Sequence, residues 1–310
     1  MRLIRKYKNG NYQVLLFDDG TKIRLLNEGE TEFKPEFPEN IDCKISDRCD
    51  IGCPFCSENS SEDKKVFTME LYKKYRPMFF DYLHPGTEIA FGGGALSCVD
   101  INLLGRIFGD LSMGGIIVNI TVNAKELVRK KEFREYIEDI CSDIEPFCSI
   151  YGLGISYDSD VESKEIMLKM ANQSPNRVII HTIAGITRPE DYLWLKENNF
   201  KILVLGYKDI GRGVGRHCFN QDYFDWLDKN ILQLQNNHAT LSLDCLAIEQ
   251  LKIKEKISKE DLEKYYMGDD GKFTMFADLI GGTYAPNSTT PYGKRIPIGQ
   301  MSPIEYFKNY

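Results

Sequence analysis

The sequence predicts an α/β fold in which parallel strands alternate with crossover helices. Between Asn40 and Cys245, short β-branched apolar runs alternate with amphipathic stretches of helical period, which is the pattern of strands joined by helices. The 310 residues are enough for one large α/β domain with small additions at its ends. Hydrophobic residues at 42% and charged residues at 27% give the balance of a soluble globular protein.

The first part of the chain, residues 1–39, predicts a β-hairpin followed by a linker. Residues 12–17 alternate in character, Asp18-Asp19-Gly20 is a turn signal, and residues 21–26 alternate again. Glu, Pro and Phe are frequent in residues 28–40, which favours an irregular linker before the main domain.

Residues 40–245 contain the alternating pattern and are interpreted as the main domain. Helices fill the gaps between the strands, with Thr68, Asp100 and Thr187 as N-cap residues. Pro77 is expected to kink the first helix or end it early, unless it lies past the last full turn. The predicted strands are 41–46, 88–91, 116–121, 149–156, 177–183, 201–205 and 240–245.

Residues 246–310 predict a C-terminal β extension. A short charged helix at 259–267 follows the capping residue Ser258, and a turn then leads into an alternating run at 273–279. The block 281–290 is polar and rich in turn residues, so it either closes over the main domain as a lid or forms a surface loop.

Charge and hydropathy argue against nucleic-acid and membrane functions. The formal net charge is −7, and the basic runs at 125–134 and 252–264 are interleaved with Glu and Asp, as on solvated helix faces. No apolar stretch follows the basic N-terminus. We therefore expect no secretory signal, no membrane segment and a cytoplasmic location.

The cysteines are distributed unevenly and predict a metal site. Four of the nine lie between Cys43 and Cys56, and such a cluster in a reducing compartment indicates metal binding before disulfides. Cys49, Cys53 and Cys56 are spaced CxxxCxxC directly after the first predicted strand. Three thiolates can reach three corners of a 4Fe-4S cluster, which leaves one iron open to a small molecule.

Two other kinds of metal protein fit the same cysteines. A zinc site would use Cys43 as its fourth ligand, and an iron-sulfur protein could transfer electrons without catalysis. Cys43 alternates with Ile41 and Ile45 on the predicted strand, so we expect it to be a small buried hydrophobic residue instead.

Ser46, Cys49, Cys53, Phe55 and Cys56 together resemble a motif of the radical S-adenosylmethionine superfamily. In that family a strand ending in Ser or Thr is followed by CxxxCxxC, with an aromatic residue before the last cysteine. With the order of the strands, the resemblance covers about residues 40–245. It implies an incomplete TIM-like (β/α)6 barrel whose active mouth lies at the carboxyl ends of the parallel strands.

The resemblance also implies a chemistry and its cofactors. The open iron of the 4Fe-4S cluster binds the amino and carboxylate groups of S-adenosylmethionine, and an electron from the reduced cluster breaks the sulfur to 5′-carbon bond. The 5′-deoxyadenosyl radical then takes a hydrogen atom from a peptide or small-molecule substrate. Such an enzyme is oxygen-sensitive and requires an electron donor such as flavodoxin or ferredoxin.

Cofactor contacts are implied first at the cysteine motif and the second strand. Phe55 is expected to shield the cluster and to approach the adenine. Gly92, Gly93 and Gly94 stand where the family carries Gly-Gly-Glu, whose backbone holds the methionine amino group. Gly94 replaces the Glu, so only the backbone contact is implied here. The alternative is a plain strand-to-helix turn that needs positive φ.

Polar residues end the third and fourth strands and are implied to face the cofactor. Asn123 follows the third strand, where a turn residue is the alternative. Ser156 and Asp158 end the fourth, at the position where relatives bind the ribose hydroxyls and the methionine carboxylate. Helix capping is the alternative for both.

The remaining candidates are weaker. The glycine-rich segment 207–213 could pass close to adenine or substrate, and His181 on a strand is either a substrate contact or a core histidine. Cys245, with Asp244, is predicted to end the last strand, as a reactive or a structural thiol. Peptide-modifying relatives often add a cysteine-rich SPASM or twitch extension. No cysteine follows Cys245, so we predict a single cluster.

Overall fold

The structure is a computed structural model that describes residues 2–141, 150–237, 240–266 and 268–309. Two sheets organise it, one small and antiparallel and one large and mostly parallel. None of the helices in these ranges combines the length and the apolar composition that crossing a membrane requires.

The N-terminal sheet has three strands rather than the two of the predicted hairpin. They are β1 (Leu3–Asn9), β2 (Tyr12–Phe17) and β3 (Lys22–Leu26), in the order β1-β2-β3. The turn between β2 and β3 contains Asp18, Asp19 and Gly20, as predicted. The additional strand β1 joins β2 through a tight turn at Gly10, whose φ of 56° favours glycine.

The large sheet confirms the predicted α/β fold. Seven parallel strands lie side by side in the order in which they occur in the chain. They are β4 (Asn40–Ser46), β5 (Glu88–Gly93), β6 (Ile117–Asn123), β7 (Gly152–Ser156), β8 (Val178–Ile183), β9 (Ile202–Leu205) and β10 (Leu241–Leu243). The predicted start of the fourth strand, at Ser149, is outside the described residues.

Helices follow the strands and pack against them in one large core. Their bounds are α1 (Met69–Tyr75), α2 (Ile101–Met113), α3 (Ala124–Arg129), α4 (Lys131–Cys141), α5 (Val161–Gln173), α6 (Pro189–Glu197), α7 (Gln221–Asn237), α8 (Cys245–Gln250), α9 (Ile253–Lys256), α10 (Lys259–Tyr265) and α11 (Pro303–Asn309).

Two of the three predicted N-caps in the main domain are confirmed. The Thr68 hydroxyl accepts a hydrogen bond from the Leu71 N–H at 3.3 Å, and the Asp100 carboxylate accepts one from Leu103 at 2.9 Å. Thr187 is not the cap of α6, because its hydroxyl accepts from the N–H of Ile183 at the end of β8. Arg188 is the cap residue instead, and Pro189 occupies the first turn.

Three strands from the C-terminal part extend the same sheet. β11 (Thr274–Asp278) pairs in parallel with β4, and β12 (Thr283–Ala285) and β13 (Ile296–Pro297) continue antiparallel. The predicted C-terminal β extension is therefore present. Its helix α10 begins after Ser258, which caps it as predicted; Met267, the predicted last residue, is outside the described residues. The sheet has β10 and β13 at its edges, so the barrel is open on that side.

Strand β4 shows how the barrel separates an apolar outer layer from a polar interior. Ile41, Cys43 and Ile45 are buried in the core shared with the helices, as predicted for Cys43, whereas Asp42 and Lys44 line the interior. TIM-like barrels are usually filled with bulky branched side chains. Here the inward-facing residues include small ones, namely Ala90, Gly92, Gly152 and Gly154. They leave a cavity of about 590 Å³, which we call the barrel cavity.

The N-terminal sheet closes the amino-terminal end of the barrel. Asp19 and Gly20, in its β2–β3 turn, line the barrel cavity. Lys22 is ion-paired with Glu88 at 2.5 Å, and the Lys201 ammonium donates to the Asp19 carbonyl at 3.1 Å. Among the described residues, these contacts lie across the amino-terminal end of the barrel, away from its carboxyl end and its open side.

Candidate functional site

The three cysteines of the motif lie on a loop at the carboxyl end of β4. This loop, residues 47–66, is named the cysteine loop. Its second half folds back beside its first residues, and the Cys49 N–H donates a hydrogen bond to the Ser61 carbonyl at 3.0 Å. A turn at Cys53 to Cys56 is closed by a hydrogen bond of 3.2 Å. Cys49, Cys53 and Cys56 all line one cavity of about 240 Å³, the cysteine cavity.

The thiols of this loop influence one another. Burial and the neighbouring Cys56 and Cys49 thiols raise the pKa of Cys53 to about 11, and burial also raises the pKa of Cys49. The Ile51 N–H donates to the Cys49 sulfur at 3.5 Å. In the described ranges no three His, Cys, Asp or Glu side chains are grouped tightly enough to hold a single metal ion. Three thiols around one cavity are the donor set of a larger iron-sulfur cluster.

The other cysteines near the motif face elsewhere. Cys43 is 2% exposed and lies in the core between strand and helices, so it cannot complete a zinc site with the three loop cysteines. Cys98 follows β5, and its sulfur accepts a hydrogen bond from the Lys130 ammonium at 3.9 Å. Neither residue belongs to the described lining of the cysteine cavity.

The glycine run packs the end of β5 against the cysteine loop. Gly93 has a φ of 113°, and a Cβ there would lie 2.6 Å from the Ser46 carbonyl oxygen. A Cβ on Gly94 would lie 2.4 Å from the Arg48 carbonyl oxygen. Gly93 and Gly94 line the cysteine cavity, whereas Gly92 faces the barrel cavity. Close backbone contact therefore requires glycine at both cavity-lining positions.

Asn123 and Ser156 line the cysteine cavity, and Asp158 lies beside it. The Asn123 side chain accepts from the Lys125 N–H at 2.9 Å and forms a capping box with Glu126 at the start of α3. Ser156 ends β7 and faces both cavities. The Asp158 carboxylate pairs with the Lys125 ammonium at 2.9 Å, and Asp158 is not among the residues that form the described wall.

The glycine-rich segment supports the cysteine loop, a role that the sequence did not predict. The Arg212 guanidinium donates to the Cys53 carbonyl at 2.9 Å and to the Ser60 carbonyl at 2.6 Å. The backbone N–H of Arg212 donates to the Cys56 carbonyl at 2.9 Å. A Cβ on Gly211 would lie 2.3 Å from the Ser57 carbonyl oxygen. The segment thus fixes the backbone that presents Phe55 and the cysteines.

His181 lies on β8 at the junction of the barrel cavity and the cysteine cavity. Its ring rests against Gly154, where an added Cβ would come within 2.4 Å of the ring. Burial lowers the pKa of His181 to about 4, so the imidazole is neutral near pH 7 and can donate or accept a hydrogen bond.

The His181→Gln variant is expected to flatten the acid limb of the stability curve. Between about pH 4 and 6.5 the unfolded chain binds a proton that the folded ring excludes, so stability falls as the pH drops through this window. Solvent in the barrel cavity limits this loss to about 1 to 2 kcal/mol. Urea unfolding at pH 7 and pH 4.5 measures it, with the surface variant His84→Gln as the control. Equal pH dependence in wild type and His181→Gln would contradict the assignment.

Cys245 is not the last residue of a strand, as predicted, but the first residue of α8. The Asp244 side chain caps that helix and accepts from the Ala247 N–H at 2.7 Å, because an Asp in extended conformation is a strong N-cap. The Cys245 thiol donates to the Gly268 carbonyl at 3.6 Å. It lines a third cavity of about 600 Å³, the side cavity, at the open side of the barrel.

The three cavities adjoin one another. Asp42, Lys208, Asp244 and Ser288 line both the side cavity and the barrel cavity, and Lys208 also reaches the cysteine cavity. The Lys208 ammonium donates to the Ser288 hydroxyl at 2.8 Å, so the predicted lid block forms a wall of the side cavity. The three cavities therefore share walls between the open side of the barrel and the cysteines.

Solved structures with the same fold were found by comparison, although no protein-family model and no curated protein sequence match the chain. The chain is similar to SuiB from Streptococcus suis bound to S-adenosylmethionine, with a TM-score of 0.59 and 15% identity over 88% of this chain and 66% of SuiB. It is also similar to SuiB bound to its precursor peptide SuiA, with a TM-score of 0.54 and 17% identity over 82% of this chain and 60% of SuiB.

A second protein gives a similar result. Native anSMEcpe with bound AdoMet and a Cp18Cys peptide matches with a TM-score of 0.56 and 12% identity, over 88% of this chain and 80% of that one. The chain thus spans less than two thirds of the length of SuiB and most of anSMEcpe. Likeness at this identity shows a shared fold, which confirms the predicted partial barrel.

Proposed function

We propose that this chain, which has the fold of SuiB and anSMEcpe, is a radical S-adenosylmethionine enzyme. The main support is that Cys49, Cys53 and Cys56 converge on one cavity with Gly93, the last residue of β5, and Gly94, which follows it. A 4Fe-4S cluster bound there would supply the electron that cleaves S-adenosylmethionine and so generates a radical able to take hydrogen from a substrate.

The residues of the cysteine cavity divide the binding tasks. Three thiolates would hold the cluster and would leave one iron for the amino acid end of S-adenosylmethionine. Phe55 forms part of the same wall as the three cysteines, and the backbone at Gly93 and Gly94 is open to the cavity because these residues have no side chain. The cluster site and the cofactor site therefore share one enclosure.

Polar groups at the ends of β6 and β7 would hold the rest of the cofactor. Asn123 and Ser156 face the cavity directly. One oxygen of Asp158 pairs with Lys125 and the other accepts from the Asp160 N–H. A carboxylate has about four acceptor sites, so Asp158 can still accept ribose hydroxyls. The side chains of Ile183 and Leu205 complete the wall and help to exclude water.

We infer that a peptide is the substrate class best supported, with a small molecule as the alternative. The side cavity of about 600 Å³ lies beside β10, at an edge of the sheet, and shares four lining residues with the barrel cavity, which suits an extended segment whose end would reach the cysteine cavity. SuiB and anSMEcpe were each solved with a peptide. An external electron donor such as flavodoxin or ferredoxin would reduce the cluster.

Anaerobic reconstitution tests the proposed function. We expect about four irons per chain and a cluster absorption and electron paramagnetic resonance spectrum that changes when S-adenosylmethionine is added, because the cofactor binds the open iron. A non-catalytic electron-transfer protein would bind iron without this change. Zinc in place of iron, or a spectrum unaffected by S-adenosylmethionine, would contradict the proposal.

A further inference from the structure

Lys44 is a buried lysine surrounded by carboxylates inside the barrel. Its side chain is 3% exposed and points from β4 into the barrel cavity. The ammonium lies 2.7 Å from Asp47, 2.9 Å from Glu58 and 3.2 Å from Asp278. Buried ammonium groups are costly unless paired, so this cation is retained by its three partners.

Two of the partners stand at opposite ends of the cysteine motif. Asp47 lies two residues before Cys49, and Glu58 lies two residues after Cys56. One ammonium therefore joins both ends of the segment that contains the three cysteines. This arrangement shortens the free loop and fixes the separation of its ends, which reduces the conformational entropy that iron binding would otherwise have to overcome.

The third partner, Asp278, connects Lys44 to the C-terminal part of the chain. Asp278 is fully buried at the end of β11, and its carboxylate accepts hydrogen bonds from the Gly281 N–H at 2.7 Å and the Tyr292 hydroxyl at 2.7 Å. Arg295 lies 3.4 Å from it. Because these contacts hold Asp278 in place, Lys44 has a rigid support on the side away from the loop.

The neighbouring strand leaves room for the lysine. A Cβ on Gly93 would lie 2.7 Å from Lys44 Cγ, so any larger residue there would displace the side chain. The carboxylates of Glu58 and Asp278 outweigh burial and raise the pKa of Lys44, which keeps it charged.

We propose that Lys44 is a positioning residue that holds the cysteine loop in the shape required for binding an iron-sulfur cluster, by bonding Asp47 and Glu58 on its two sides. This inference rests on the proposed function for the identity of the metal group. Without the ammonium, three neighbouring carboxylates would repel one another, and Asp47 and Glu58, which are partly exposed, would turn outward and open the loop.

The test compares Lys44→Met and Glu58→Gln with a control, Lys201→Met. Lys201 is a partly buried lysine whose ammonium donates to the carbonyls of Asp19 and Asn176, at the opposite end of the barrel. We expect the iron content after reconstitution to fall about fivefold in Lys44→Met, which removes all three ion pairs of the ammonium. In Glu58→Gln, which removes the charge from one of these pairs, it should fall about twofold. Lys201→Met should retain the iron content of the wild type.

A second readout uses the protein without iron. Alkylation of Cys49, Cys53 and Cys56 by iodoacetamide, followed by mass spectrometry, should be about tenfold faster in Lys44→Met because the loop opens more often. Folded Lys44→Met with wild-type iron content and wild-type alkylation rates would overturn the inference. If Lys44→Met does not fold, Glu58→Gln decides in the same way.

The two proposals can fail separately. If the wild-type protein binds no iron under anaerobic reconstitution, the proposed function is wrong. The alkylation rates of the three thiols still show whether Lys44 holds the loop, because that measurement requires neither iron nor S-adenosylmethionine.

Discussion

Replacement of Cys53 by alanine is expected to reduce the iron content of the reconstituted protein to the background level of less than about one iron per chain, since two thiolates rarely retain a cubane cluster. Cys53 lies between Cys49 and Cys56 on the wall of the cysteine cavity, and the three thiols act on one another electrostatically. The fold should be almost unaffected, with a stability change of about 1 kcal/mol or less. Iron and sulfide analysis, with circular dichroism as a check on folding, measures both effects.

The matched control is Cys98→Ala. Cys98 is another partly buried thiol close to the motif, but its sulfur interacts with Lys130 and it lies outside the described wall of the cavity. It should keep about four irons per chain, as a cluster needs. Loss of iron in Cys98→Ala, or retention of the full cluster in Cys53→Ala, would show that the ligands are not those proposed.

Arg212→Met is expected to give the second-largest effect. It removes two side-chain hydrogen bonds, to the carbonyls of Cys53 and Ser60, and leaves those carbonyls without these donors in a partly buried place. Each lost bond from a charged donor costs about 1.5 kcal/mol or more. We expect the iron-free protein to lose about 3 kcal/mol in urea unfolding, and cluster incorporation to fall several-fold because the loop backbone is no longer fixed.

Arg216→Met provides the comparison for Arg212. Arg216 belongs to the same glycine-rich region, but its guanidinium is half-exposed and lies 3.7 Å from an exposed Asp209. Exposed pairs of this kind contribute about 0.5 kcal/mol, and the contact of the guanidinium with the Phe219 ring, at 4.8 Å, contributes about 0.5 kcal/mol more. The variant should therefore lose about 1 kcal/mol at most and keep the iron content of the wild type. Equal losses in the two variants would mean that the effect of Arg212 is not due to its contacts with the cysteine loop.

The order of the parallel strands and the placement of the cysteines could be predicted from the sequence. β-Branched runs mark buried strands, and a cysteine triplet directly after a strand must lie at its carboxyl end. The alternation of Cys43 with Ile41 and Ile45 also indicated that Cys43 faces the core, and the structure confirms this. These features depend on residues that are close in the sequence.

Features that depend on distant residues could not be predicted in the same way. Arg212 is an ordinary charged residue in the sequence, and its role follows from the cysteine loop, which lies far away along the chain. Lys44 is close in sequence to Asp47 and Glu58, but its third partner, Asp278, comes from the distant C-terminal part. Strand β1 escaped prediction because its less exposed face carries Arg5, Tyr7 and Asn9, which give no apolar alternation. Asp244 was placed in a strand although its residue type also favours an N-cap, and this error moved Cys245 into the wrong element.

The pairing of β11 with β4 also lay beyond local patterns. The alternating run after Phe273 predicted a strand, but nothing in it specified a partner more than 200 residues earlier in the chain. This pairing places Asp278 next to Lys44 and makes the C-terminal part a structural neighbour of the cysteine loop.

Release of 5′-deoxyadenosine tests the central claim most directly. Reconstituted wild-type protein is incubated anaerobically with S-adenosylmethionine and dithionite, and the products are separated by liquid chromatography and identified by mass spectrometry. Our account predicts 5′-deoxyadenosine together with methionine, formed only when reductant is present. A protein that contains its full complement of iron and returns S-adenosylmethionine intact under these conditions would contradict it.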